Sequence, residues 1–225
     1  MRSTLRRRTL AAAALLAFVP TIASAQTTFF NSLAGWTAAL NGGASGLDTF
    51  NDLPGSQFPG PLNRTAGAFT YRASVTAPPG DNTDFFPAGT NVDRWLSTNV
   101  ASASMVFNTF TAGTNAIGGA IFASDIAGAF VSGPITIAWV TSLGSGSTTV
   151  TNTVNSFWGL VTTGTLTSLT VTGRGATQPF LWPTVNDLRL GRAITTPNVV
   201  PEPSTFALMA TGLAGLAALR RRRNA

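Results

Sequence analysis

The stretch GPITIAWVT places Ile135, Ile137 and Trp139 at every second position, with Thr136 and Ala138 between them. Side chains two apart share a face of an extended chain, so this pattern predicts a strand with one buried side. The pattern recurs along the chain. ASMVFNTF, AIGGAIFAS and AGAFVSG are short runs of the same kind, separated by Gly, Ser and Asn. SFWGLVTTGTLTSLTVTG reads as two strands turning near Thr163 and Gly164, rich in the threonine and valine that suit a pleated surface. Many short strands with no β-α-β rhythm predict an all-β chain, a jelly-roll-like β-sandwich.

One helix is expected. TTFFNSLAGWTAALNGG carries Phe29, Phe30, Leu33, Trp36, Thr37 and Leu40 at helical spacing and stops at Gly42 and Gly43. PGSQFPGPLN and TAPPGDNTDFFPAGTN read as proline-rich surface loops.

The two ends have a different character. Arg2, Arg6, Arg7 and Arg8 precede an apolar block from Leu10 to Val19, and Ala23-Ser24-Ala25 supplies the small residues of a signal-peptidase site. That order predicts a secretory signal peptide over 1–25, cleaved before Gln26. At the other end stand Pro201, Glu202 and Pro203, an apolar stretch over 204–219, and Arg220, Arg221, Arg222 and Arg223. Sixteen residues make a helix of roughly 24 Å, short for a hydrocarbon core of about 30 Å. The arginines stay on the cytoplasmic side. The tail therefore reads as a weak transmembrane stop, with the prolines holding Glu202 extended and accessible.

Pro-Glu-Pro, an apolar helix and a terminal arginine cluster, in that order, resemble the PEP-CTERM sorting signal of Gram-negative bacteria. The resemblance implies that an exosortase recognises the motif and removes the tail. It further implies transit through the inner membrane, then residence in the cell envelope or extracellular matrix, often with exopolysaccharide. The expected organisation is a signal peptide (1–25), a β-sandwich (26–196), a linker with the motif (197–203), the sorting helix (204–219) and a basic cytoplasmic tail (220–225).

The formal charge of +6 belongs to the ends. Between Thr27 and Val200 six arginines face seven aspartates, so a nucleic-acid partner is not expected. The chain has no Cys, His or Lys, and its one Glu is Glu202. Ser-His-Asp, Cys-His and Ser-Lys chemistry is thus impossible within it, and the chain does not read as an enzyme. A pair of aspartates of the glycosidase type is the one arrangement left open.

FNDL at 50–53 and VNDL at 185–188 echo each other near the ends of the domain. Together with the opening helix and the FWGL strand they resemble exported β-sandwich domains that precede PEP-CTERM tails and, more loosely, jelly-roll carbohydrate-binding modules. That likeness implies that the first and last strands lie side by side, with Asp48, Asp52, Asn186 and Asp187 as oxygen ligands of a structural Ca²⁺. The other reading makes both Asn-Asp pairs turn residues that satisfy local backbone groups. Asp81 and Asp84 in GDNTD pose the same alternative. Of the five tryptophans, Trp36 and Trp139 are expected in the core, and one of Phe157 and Trp158 faces outward. Trp95 and Trp182, beside loops, are the candidates for a sugar platform, with burial as the competing reading. Two function classes follow. One is an envelope or matrix structural protein associated with exopolysaccharide; the other is a carbohydrate- or calcium-binding module.

Overall fold

The computed structural model describes residues 26–175 and 179–194, together with 211, 212 and 220. One compact unit spans Ala25–Thr195. The expected signal peptide, the linker with the motif (197–203), the sorting helix and the basic tail fall outside the described residues, apart from 211, 212 and 220. Among the described residues no helix is long and apolar enough to cross a membrane.

Two antiparallel sheets face each other. Numbering strands along the chain, the larger sheet runs β1 (Thr27–Phe30), β12 (Trp158–Thr162), β8 (Ala116–Ser124), β14 (Trp182–Arg192), β6 (Arg94–Thr98) and β5 (Phe85–Gly89). Two strands lie off that path: β2 (Ala44–Asp48) pairs with β14, and β9 (Phe130–Val131) pairs with β8. The second sheet runs β11 (Gly144–Val150), β10 (Ile135–Thr141), β13 (Leu166–Thr172), β7 (Ser104–Asn108), β4 (Phe69–Thr76) and β3 (Leu62–Ala66). The β-sandwich expected from alternation is therefore present, and β2 and β14, near the two ends of the domain, lie side by side.

Alternation decides what fills the space between the sheets. Ile135 and Ile137 of β10, Val171 and Leu169 of β13 and Met105 and Phe107 of β7 are fully buried, facing Leu96, Ile117, Ile121 and Leu160 of the other sheet. Each such side chain contributes about 1.5–3 kcal/mol when it leaves water. The opposite positions of the six-stranded sheet make a polar outer face. Register puts Thr136 and Thr149 opposite each other, as it does Thr172 and Ser104, and these two pairs join through their hydroxyls at 3.3 and 2.8 Å.

Three local expectations change. Phe29 and Phe30 belong to β1, and the helix α1 (Leu33–Ala39) starts only after Ser32. Ser32 is extended, and its hydroxyl accepts from the Gly35 N–H at 3.2 Å, an N-cap that fixes the start three residues past the phenylalanines. Phe85–Gly89, expected within a loop, forms β5. Phe58 exchanges backbone hydrogen bonds with Phe85 and stacks on its ring at 5.8 Å, which secures the strand and buries Phe85 completely. The two strands of SFWGLVTTGTLTSLTVTG exist but do not pair. β12 joins β1 and β8 while β13 joins β10 and β7, so Thr163–Thr165 carries the chain from one sheet to the other.

The helix covers the outer face of the larger sheet at its β12–β8 end. Trp36 and Leu40 pack there with Ala116 and Ala193. A Cβ at Gly159 would lie 2.8 Å from Trp36 Cδ1, so glycine is what lets the indole sit on the strand.

Candidate functional site

β2 ends at Asp48, and its partner in β14 is Leu188, a fully buried residue. Neighbours across a pair share a face, so the Asp48 carboxylate points into the sandwich. What meets it there is Arg64 of β3. Arg64 Nε donates to Asp48 Oδ2 at 2.9 Å and Nη2 to Asp48 Oδ1 at 2.6 Å. The same guanidinium reaches Asp52, with Nη1 to Oδ2 at 2.9 Å and Nη2 to Oδ1 at 2.7 Å. Tyr71, opposite Arg64 on β4, donates its hydroxyl to Asp48 Oδ2 at 2.7 Å, and the Phe50 N–H donates to Oδ1 at 3.1 Å. Burial alone would lower the Arg64 pKa; the hydrogen bonds to Asp48 and Asp52 outweigh it and raise it well above the ordinary value. The Arg64 hydrogen bond brings Asp52 below its usual 3.8 against the opposing effect of burial. Burial, then the Asp48 charge, pushes Tyr71 up. Both carboxylates are thus already engaged by a cation of the chain itself.

Asn186 and Asp187 lie elsewhere. Val185 faces the core opposite Leu96, so Asn186, the next residue, turns to the outer face of the larger sheet. There the register slips between Asn186 and Arg189, and Asp187 takes a left-handed φ of 52°. The Asn186 amide is held at both ends: Nδ2 donates to Asp93 Oδ1 at 3.2 Å, and Oδ1 accepts from the Asp187 N–H at 2.8 Å. Trp95 Nε1 donates to the other oxygen of Asp93 at 3.1 Å. Burial raises the Asp187 pKa; Arg189 opposes this and Asp93 adds to it. The four residues expected to hold one Ca²⁺ are therefore not a single oxygen shell. Asp48 faces the interior with Arg64, and Asn186 faces outward with Asp93 and Trp95. Among the described residues, no group of three or more His, Cys, Asp or Glu is placed to hold a metal ion.

Trp95 and Trp182 share that outer face, on neighbouring strands, but do not form one platform. The Ser97, Thr184 and Ser124 hydroxyls are linked in a buried chain on the same face, with Thr184 bonded to Ser124 at 2.7 Å and to Ser97 at 3.2 Å. Trp95 stands edge-on to Phe122 at 4.9 Å, and Trp182 Nε1 donates to the Asn99 carbonyl at 3.4 Å. Asp84 accepts from Gln57 and Asn82, and Asp81 from Ser102, so both act as local loop fasteners.

Arg64 and Asp93 are functional neighbours that local sequence pattern does not single out. The available signal for Arg64 was its place between Leu62 and Ala66 at inward positions of a strand, hidden because the preceding prolines marked the segment as loop. Asp93 carries no such signal; only the hairpin between β5 and β6 brings it to Asn186.

A family model described as the PEP-CTERM protein-sorting motif matches residues 199–223. The chain carries a PEP-CTERM sorting signal. That span contains Pro201, Glu202, Pro203 and the cluster Arg220–Arg223. The signal implies an exported protein of a Gram-negative bacterium that passes through the membrane and is processed by an exosortase. A search of solved structures finds the structure of CBM51 from Clostridium perfringens GH95 in complex with methyl-galactose. It is 11% identical, covers 65% of this chain and 99% of that chain, and has a TM-score of 0.32. No curated protein matches the chain.

Proposed function

We propose that the sandwich is the cargo of this sorting signal: a non-catalytic structural protein of the cell envelope or extracellular matrix that associates with exopolysaccharide. The sorting signal carries the reading, because an exported, exosortase-processed chain is what an envelope or matrix protein requires. The body suits that address. Its six-stranded sheet presents rows of Thr, Ser and Asn outward with Arg72 as the charged side chain among them, a polar surface of low charge. With no His, Lys or Cys, the chain lacks the usual bases and nucleophile pairs.

Intact-mass analysis of protein from fractionated cells tests the address. Native protein should start at Gln26, lack the arginine cluster and occur in the outer-envelope or matrix fraction. Replacing Pro201, Glu202 and Pro203 together by alanine should leave the arginines attached and the protein in the inner membrane. Native protein that keeps Arg220–Arg223 in the inner membrane would end this reading.

A further inference from the structure

The five tryptophans differ in what their indole N–H groups do. Trp36 donates to the Leu160 carbonyl at 3.2 Å, Trp95 to Asp93 and Trp182 to Asn99. Among the described residues, Trp139 and Trp158 donate to no protein atom. Trp158 is only 6% exposed, yet no buried side-chain nitrogen or oxygen among the described residues is orphaned, so its N–H keeps access to solvent. An indole N–H that reaches solvent without a protein partner is free to donate to a ligand.

These two rings belong to one cluster with Phe29. Phe29 lies 4.6 Å from Trp139 and 6.1 Å from Trp158, and the two indoles are 6.2 Å apart. Phe29 of β1 pairs with Leu160, placing it on the inner side of the larger sheet, the side Trp158 also faces. Trp139 comes from the inner side of the other sheet, where β10 pairs with β11. The cluster therefore fills the gap between the sheets where each ends, at β1 and at β11. Gly146 makes room: a Cβ there would lie 2.7 Å from Trp139 Cζ2. Phe29 nevertheless remains 45% exposed. A seal made only to close the sandwich would bury that ring and satisfy both N–H groups.

We propose that Phe29, Trp139 and Trp158 form a cradle for a neutral sugar ring of a polysaccharide. A pyranose offers an apolar C–H face to an aromatic ring and hydroxyls around its rim for N–H donors. The cradle provides both. Its ligand is uncharged because the surrounding strands β1, β10, β11 and β12 carry no ionisable residue, and none occurs between Asp125 and Arg174. The inference rests on the exopolysaccharide reading above and locates where a chain of that polymer is gripped.

Affinity electrophoresis tests it, using mature protein recovered from cells and gels containing galactomannan, dextran, alginate or the producing cells' own exopolysaccharide. Retardation by at least one uncharged polymer and none by alginate is expected, with indole emission shifting on binding. Phe29→Ala and Trp139→Phe should weaken binding about tenfold or more, while Val92→Ser, on the distant β5–β6 hairpin, should not. Thermal melts establish that the variants fold; should Trp139→Phe fail to, the half-exposed Phe29 position still decides. Retarded wild-type protein with equally retarded Phe29→Ala overturns the cradle and leaves the function standing. No retardation on any uncharged polymer overturns the cradle too, and the fractionation result then judges the function separately. A dimer of wild-type protein that Phe29→Ala converts to monomer, with sugar binding unchanged, would assign the cluster to a second copy instead.

Discussion

Arg64 grips Asp48 with two nitrogens, Nε at 2.9 Å and Nη2 at 2.6 Å, and ties β3 of one sheet to the end of β2 in the other. Both side chains are nearly out of water, at 14% and 4% exposed. Removing Asp48 leaves the partly buried Arg64 with Asp52 alone and strips the Tyr71 hydroxyl and the Phe50 N–H of their acceptor. Asp48→Ala should therefore destabilise the protein by about 3 kcal/mol or more, read as a fall in the urea midpoint. Tyr71→Phe, which leaves Asp48 its Arg64 bonds, should cost only about 1 kcal/mol.

The metal alternative has a direct check. A Ca²⁺ ion on Asp48 and Asp52 would have to displace the guanidinium that already occupies both carboxylates. Melting temperatures in EGTA and in millimolar Ca²⁺ should therefore coincide. A rise in Ca²⁺ that Asp48→Asn abolishes would show that Arg64 gives way.

Two carboxylates give opposite pH dependences. Arg64 depresses Asp52, so its contribution is full above the ordinary 3.8 and is lost as pH falls through the lower folded value. Burial raises Asp187, so its charged form costs stability once pH rises through the folded value. Asp187→Asn should thus stabilise the protein at pH 7, by only about 0.5 kcal/mol or less because solvent screens the partly exposed carboxyl, and asparagine keeps the tolerance for the left-handed φ. The gain from lost charge should vanish near pH 3. Melts of both proteins at the two pH values decide it.

Close backbone approach gives a fourth test. A Cβ at Gly46 would lie 1.8 Å from the Ala66 carbonyl oxygen, where β2 and the end of β3 meet. The obstacle is backbone, so it cannot swing aside. Gly46→Ala should destabilise by about 3 kcal/mol or more, whereas Gly42→Ala, with nothing within 4 Å but a φ of 76°, pays only the left-handed penalty of about 1–2 kcal/mol. Paired denaturation curves would separate the two.

Period-two alternation alone was enough to determine the sandwich, because burying one side of a strand is a local property of its sequence. The sorting signal was equally legible, since its parts act in chain order: prolines, apolar stretch, arginines. Local pattern also failed at identifiable places. Phe29 and Phe30 fit a helical stripe, but the Ser32 cap sets the boundary, and Phe85 sits among prolines yet is held by Phe58. What only the tertiary structure decided is pairing across distance. Asp48 pairs with Leu188, two residues from Asn186, yet the bulge at Asp187 breaks the alternation and leaves one inward with Arg64 and the other outward with Asp93. Trp139, expected in the core from its spacing with Ile135 and Ile137, does face inward. It emerges at the sandwich's rim only because β10 and β11 lie at the end of their sheet, opposite Phe29. Sequence spacing specifies which face a residue joins; the order of strands specifies whether that face is closed by another sheet or left open to water.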